Sequence, residues 1–205
     1  MQQRSNDWFE ARKGRFTGSQ IHKLLGVKGL GETGKTYAFE NACDIVFGFN
    51  EDEGFTSFDM QRGIDLEPIA FNKFAELKQL DFISVEKCTF FPYGDNAGAS
   101  PDGIVGDKAI LEIKCPKPYK FFNLVANGVA EIDKNYFQQM QMEMLCTNSE
   151  KAYFFNYIIY NGIPMWHELI VERDEKVIDL IKERIIEATE IRDEYVLKLK
   201  SNIQF

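Results

Sequence analysis

The chain has 205 residues, 44% of them hydrophobic and 14% aromatic, enough for one sizeable core without covalent staples. A net charge of -8 counts against a protein that coats DNA non-specifically, because that mode depends on summed phosphate neutralisation. No apolar run has export-signal or membrane-spanning character, so a single domain over residues 1–205 is expected, cytoplasmic and off the membrane. Cys43, Cys88, Cys115 and Cys146 form no C-x-x-C pair, which argues against a zinc or iron-sulfur cluster and for reduced thiols. His22 and His167 have no acidic or Cys cluster beside them and read as structural or surface residues. Charge is uneven: seven basic and three acidic residues among the first 36 give +4, leaving -12 on the rest. Such a basic region on an acidic body suits a DNA enzyme as well as it suits an ordinary solvated surface.

In chain order, residues 6–13 predict a short helix ended by Gly14, and Ser19 is expected to cap a second helix over 20–25. A glycine-rich loop, 26–34, leads to a helix over 36–47, and Asn50 to Gly54 reads as an exposed loop. Residues 62–78 predict a helix with Ala70, Phe71, Phe74 and Leu77 on one stripe, Pro68 marking its first turn or a kink. Strands are expected over 82–91, 103–105 and 109–114, the last two around Gly106-Asp107. A helix over 133–147 follows, then strands 152–159 and 165–172 joined by an Asn161-Gly162 turn. The chain closes on an amphipathic helix over 174–199. Together these predict an α/β fold, a central mixed sheet flanked by helices.

The segment from Ala99 to Cys115 carries the chemistry. Alternation along a strand points Glu112 and Lys114 one way and Leu111, Ile113 and Cys115 the other, giving one face to a core and one to a cleft. Asp102, between Pro101 and Gly103, is expected at a turn close to Glu112. An ideal two-residue hairpin at Gly106-Asp107 would place it opposite Leu111, one residue out of register, so a bend is required. Two converging carboxylates make a hard-oxygen site for Mg²⁺ or Mn²⁺, and a neighbouring ammonium orients water and offsets phosphate charge.

This pattern lies within a longer series: Trp8 through Arg12 to Ser19, Gly63 to Glu67 with Ala70, Ala99-Ser100-Pro101-Asp102-Gly103, Leu111 to Pro116, and Tyr136 through Gln139 and Gln141. In that order the pieces resemble the YqaJ-type viral recombination nucleases, the phage lambda exonuclease family within the PD-(D/E)XK nucleases. The resemblance implies a restriction-endonuclease-like core and a metal-dependent 5′ to 3′ exonuclease acting on double-stranded DNA ends in phage-type recombination. It implies that Asp102, Glu112 and the backbone carbonyl of Ile113 bind the metal, that Lys114 and Gln139 position the attacking water, and that Glu67 is a further acidic member. Arg12, Ser19 and Ser100 would hold the 5′ phosphate, a role that a capped helix N-terminus and a guanidinium fork would suit. A homotrimer threaded by DNA and a single-strand annealing partner are implied likewise, in a bacterial or phage-infected cell. Phe71 stands where a basic residue is common in the family, which puts DNA contacts of that helix in doubt. An endonuclease of the same fold and a non-catalytic DNA-end-binding module are the alternatives.

One further motif competes. Gly29 to Thr36 matches the phosphate-loop pattern G-x-x-x-x-G-K-[ST] letter for letter. Such a loop needs an apolar strand before it, whereas residues 19–27 read as a helix, and no later apolar strand ends in a Mg²⁺-holding Asp. An ATPase is therefore disfavoured.

Overall fold

The computed structural model describes residues 5–48, 58–106 and 108–203, without the side chains of Phe58 and Asp59. The Asn50 to Gly54 stretch, read above as a loop, lies outside the described residues. Helix α1 (Asn6–Arg12) is followed by a two-residue strand β1 (Phe16–Thr17), a 3₁₀ helix (Gly18–Leu24), α2 (Gly31–Phe47) and α3 (Phe58–Leu80). Strands β2 (Val85–Lys87), β3 (Phe91–Tyr93), β4 (Ala97–Ala99), β5 (Gly103–Val105) and β6 (Ala109–Lys114) come next. Then α4 (Pro118–Asn127), α5 (Lys134–Thr147), β7 (Lys151–Tyr160), β8 (Ile163–Glu172) and α6 (Glu175–Asn202) complete the chain.

The main sheet runs in the order β2-β5-β6-β7-β8, with β6 and β7 parallel and the other pairs antiparallel. A parallel pair needs a crossover, and α4 and α5 supply it. A smaller sheet, β1-β4-β3, stands beside it. Strand alternation on β6 and β7 divides the core. Leu111, Ile113, Tyr153 and Phe155 meet Ala70, Phe71 and Phe74 of α3, while Ile110, Ala152 and Phe154 meet Leu124 of α4 and Met140 and Met144 of α5. A third cluster joins Phe16, Ile21 and Leu24 to Tyr37 and Ala38 of α2 and to Ile181, Ile185 and Ala188 of α6, with Met142 reaching it from α5.

Local chemistry sets the boundaries. The Asp133 carboxylate accepts from the amide of Asn135, and Asp174 accepts from the amides of Lys176 and Val177, capping α5 and α6. Asn161 and Gly162 both have positive φ, 52° and 76°, the twist a two-residue hairpin between β7 and β8 requires. The end of α1 is fastened from two sides. The Gly14 amide donates to Asp44 at 2.7 Å, and buried Arg192 of α6 donates to the Gly14 carbonyl and to Asn96, both at 2.8 Å. Gly14 has φ of 64°, and a β-carbon there would stand 2.3 Å from Ile45, so no other residue fits this joint.

Several expectations are corrected. Ser19 caps nothing: it lies inside the 3₁₀ helix, whose N-cap is Thr17 and which has no side-chain capping bond. Helix α3 begins upstream of 62, so Pro68 is interior rather than in a first turn. The strand expected over 82–91 splits into β2 and β3, which belong to different sheets, and Phe82 before them has φ of 58°. Helix α4 was not anticipated. Gly31 to Thr36 are the opening of α2, preceded by a 3₁₀ helix and not by a strand, so the phosphate-loop pattern has no phosphate-loop setting. Among the described residues no helix is long and apolar enough to cross a membrane.

Candidate active site

The hairpin of β5 and β6 settles where Asp102 lies. Its register pairs Gly103 with Leu111 and Val105 with Ala109, so three residues intervene rather than two, and the ladder ends at Gly103. Asp102 stands just beyond it at a bend, as expected from the sequence. The Asp102 amide donates to the Leu111 carbonyl at 2.9 Å, while its carboxylate Oδ2 accepts from the Ile113 amide at 2.7 Å. Asp102 is thus fixed by both ends to the strand that carries Glu112.

Glu112 is 2% exposed, and its Oε1 accepts from the Lys114 ammonium at 2.5 Å and from the Gln139 amide nitrogen at 2.8 Å. The Lys114 nitrogen also stands 4.6 Å from the ring centroid of Tyr136. Gln139 bonds a second carboxylate with the same nitrogen, Oε1 of Glu143 at 2.8 Å. Glu143 is 1% exposed, and its Oε2 has no hydrogen-bond partner.

The phosphate-holding candidates line the same pocket as this acid–base group. The Trp8 indole N–H donates to the Ser100 hydroxyl at 3.0 Å, and the Arg12 guanidinium lies over the Trp8 ring, 4.0 Å from its centroid. Trp8 therefore braces one candidate through each of its properties, the N–H and the π face. That pocket has a volume of about 220 Å³. Asp102, Glu112, Ile113, Lys114, Gln139 and Glu67 line it together with Arg12, Ser19, Ser100 and Trp8. The candidate metal, catalytic and phosphate residues named from the sequence thus line one pocket. Ser19 is no cap, but it stands in the first turn of the 3₁₀ helix, where its backbone amide accompanies its hydroxyl. A larger groove of about 660 Å³ along Ile170 to Lys176 holds none of these groups.

Negative charge in the pocket exceeds what Lys114 offsets. Burial, then the charges of Glu112 and Glu67, push the Asp102 carboxyl well above the usual carboxylate range, against the opposing pull of Lys114 and the Ile113 amide. Burial and Glu112 push Glu143 the same way, opposed by its bond from Gln139. For Lys114 burial works against the ammonium, but Glu112 and Asp102 outweigh it and raise its pKa, so it stays cationic. Burial pushes the Cys115 thiol up to about 12, helped by Glu67, which leaves it unreactive. An all-oxygen set of two carboxylates and a carbonyl, in surroundings that penalise their unbalanced charge, fits a hard divalent cation. Among the described residues no three His, Cys, Asp or Glu side chains form a ligand group, so the fit depends on the Ile113 carbonyl and on water to complete the set.

Sequence reasoning missed Glu143 and gave no role to Trp8 or Tyr136. The signal for Glu143 was its spacing of four from Gln139 on a helix, which places both on one face.

Residues 7–150 match the YqaJ-like viral recombinase domain. No curated protein matches the chain. Among solved structures, the chain is similar to an alkaline exonuclease (LHK-Exo) from Laribacter hongkongensis, with a TM-score of 0.82 and 27% identity over 96% of this chain and 97% of that one. The same exonuclease is also known in complex with dAMP, with the same overlap. A phage-related exonuclease from Haemophilus somnus 129PT has a TM-score of 0.72 at 22% identity, over 90% of this chain and 96% of that one, a likeness of fold. The match covers well over half of the chain and takes in the whole pocket wall, and with it the chain belongs to the YqaJ-like viral recombinase family, on the fold of the phage-type alkaline exonucleases.

Proposed function

We propose that this protein is a Mg²⁺-dependent exonuclease that degrades double-stranded DNA from a 5′-phosphorylated end, 5′ to 3′, releasing mononucleotides. The observation that carries the reading is the shared pocket: a carboxylate–lysine–glutamine group and an arginine with two serines line the same cavity. Family membership and the exonuclease fold of the Laribacter hongkongensis relative support it, and that relative's complex with dAMP supports a deoxynucleoside monophosphate as the product class.

Asp102, Glu112 and the Ile113 carbonyl would hold the divalent ion, Mn²⁺ serving in place of Mg²⁺. Bound there, it supplies Lewis-acid stabilisation of the negative charge that develops on the scissile phosphate. Lys114, kept cationic by Glu112 and Asp102, holds and polarises the attacking water and offsets phosphate charge. Gln139 orients the same water. Glu67 adds acidity at the pocket edge. Arg12 clamps the terminal 5′ phosphate by its guanidinium fork, and Ser19 and Ser100 add hydroxyl donors, so that the first phosphodiester is placed at the acid–base group. A ring-shaped trimer enclosing DNA and an annealing partner that takes the exposed single strand belong to the same reading.

Digestion of linear duplex in Mg²⁺, with 5′-phosphate and with 5′-hydroxyl ends, tests it. Loss of duplex into mononucleotides, faster from phosphorylated ends, is expected. Cutting of covalently closed circles would make the protein an endonuclease, and tight end binding without hydrolysis would make it an end-binding module.

A further inference from the structure

Tyr136, Gln139 and Glu143 stand at i, i+3 and i+7 on α5, one face of the helix, and that face is turned to the charged groups of β6. Tyr136 meets Lys114, Gln139 meets Glu112, and Glu143 meets Gln139. Glu143 is the costly member. It is 1% exposed, one of its oxygens has no partner, and it lies within the field of Glu112 and Asp102. On the same helix Met140, Met142 and Met144 are fully buried, so an apolar side chain at 143 would be in keeping with its neighbours and free of that cost. A buried carboxyl group kept where packing does not ask for one points to function.

The geometry assigns that function. A carboxamide has two ends of nearly equal shape, and its neighbours decide which way it faces. Both groups beside the Gln139 nitrogen are carboxylate oxygens, which accept hydrogen bonds. The two N–H hydrogens are drawn to Glu112 and Glu143, so what Gln139 offers the pocket it lines is its oxygen, an acceptor. With Glu112 as sole anchor, only one N–H would be held, and the second N–H and the oxygen could swing about that bond.

We propose that Glu143 is a positioning residue: it fixes the Gln139 carboxamide with its nitrogen toward Glu112 and its oxygen toward the pocket, where that oxygen accepts a hydrogen bond from the attacking water. The hydrolytic half rests on the function proposed above; the orientation of the amide does not.

Two readouts test it. In protein labelled with ¹⁵N-glutamine, the Gln139 side-chain NH₂ pair, identified by its loss in Gln139→Ala, should be well dispersed and slow to exchange with solvent. Glu143→Leu, which removes both oxygens at similar bulk, should move the pair to the shifts of a solvated glutamine, and Glu143→Gln, which retains an acceptor, should restore it. On linear duplex with Mg²⁺, Glu143→Leu should lower kcat by about 10- to 100-fold with little change in KM, the scale of one hydrogen bond to a charged group. Glu143→Gln should recover most of that loss. Gln139→Ala combined with Glu143→Leu should be no slower than Gln139→Ala alone, because the pair acts as a unit. A merely structural Glu143 would instead give additive losses and a lowered Tm, whereas Glu143→Leu should melt no lower than the parent. Unaltered Gln139 amide signals in Glu143→Leu, or additive losses, would overturn the proposal. Absence of DNA degradation by the parent protein would remove the nuclease reading while the amide signals still decide the orientation.

Discussion

The two faces of β6 are built to opposite rules. Toward α3, Leu111 and Ile113 pack on Phe74 and Phe155 in a dry aromatic layer, with the Phe74 ring 5.2 Å from Phe155 and 5.6 Å from Tyr153. Toward α5, the same strand presents Glu112 and Lys114, and the polar character continues across the sheet: Asn156 pairs with Lys114 in register, and His167 pairs with Asn156. Asn156 Oδ1, His167 Nε2 and Glu143 Oε2 are buried there without hydrogen-bond partners, each an expense of about 1–3 kcal/mol that a core would not carry. On the α3 face of β6 the buried side chains are all apolar. The α5 face begins with Ile110 packed on Phe154 and Met140 and then holds charge at buried Glu112 and partly buried Lys114, at a cost in stability.

Substitutions on the two faces should therefore separate activity from stability. The largest effect on activity is expected from Lys114→Met, which removes the ammonium that bonds Glu112 and faces the pocket. Hydrolysis of linear duplex should fall by about 10²- to 10³-fold, while the thermal melt changes little because the buried carboxylates lose a partner but the ammonium's own burial cost vanishes. On the opposite face Phe74→Ala should do the reverse, costing about 3–5 kcal/mol of unfolding free energy in a urea titration with kcat per folded molecule unchanged. A comparable loss of kcat in both variants would erase the distinction between the faces.

The contrast was partly legible in the sequence. Alternation along residues 111–115 divided the two faces before any coordinates, and Asp102, Glu112 and Lys114 stood out because two converging carboxylates and an ammonium suit a divalent-cation site. The register was not legible. Whether two or three residues form the turn after Val105 moves Asp102 by one position, and glycine and aspartate suit either turn. Ser19 misled for a related reason: a serine after a glycine turn looks like a cap, but the helix starts two residues earlier, and Thr17 takes the position without a capping bond. The three-strand sheet was hidden because β1, β3 and β4 are two or three residues long, too short for any periodicity to register. Glu143 was hidden because its partner is another side chain of its own helix, and an i, i+4 Gln–Glu pair on a helix reads as solvated until burial is known.

Smaller effects should come from the phosphate-holding candidates. Arg12→Ala should abolish the preference for a 5′-phosphorylated end, a change of about 10- to 100-fold in the ratio of rates, with the rate on 5′-hydroxyl ends retained. Trp8→Phe keeps a ring beneath Arg12 and deletes only the indole donor to Ser100. It should weaken the same preference severalfold, about 1 kcal/mol. A Trp8→Phe effect larger than that of Arg12→Ala would mean that the guanidinium is not the main phosphate contact.

The central claim is that the polar face of β6 and the facing Asp102 form one divalent-cation site. Anomalous diffraction from crystals soaked in Mn²⁺ tests it most directly. The account predicts an ion bonded to the carboxylates of Asp102 and Glu112 and to the Ile113 carbonyl, lost in Asp102→Asn; an ion bound elsewhere with these carboxylates uncoordinated, or one that persists there in Asp102→Asn, would contradict it.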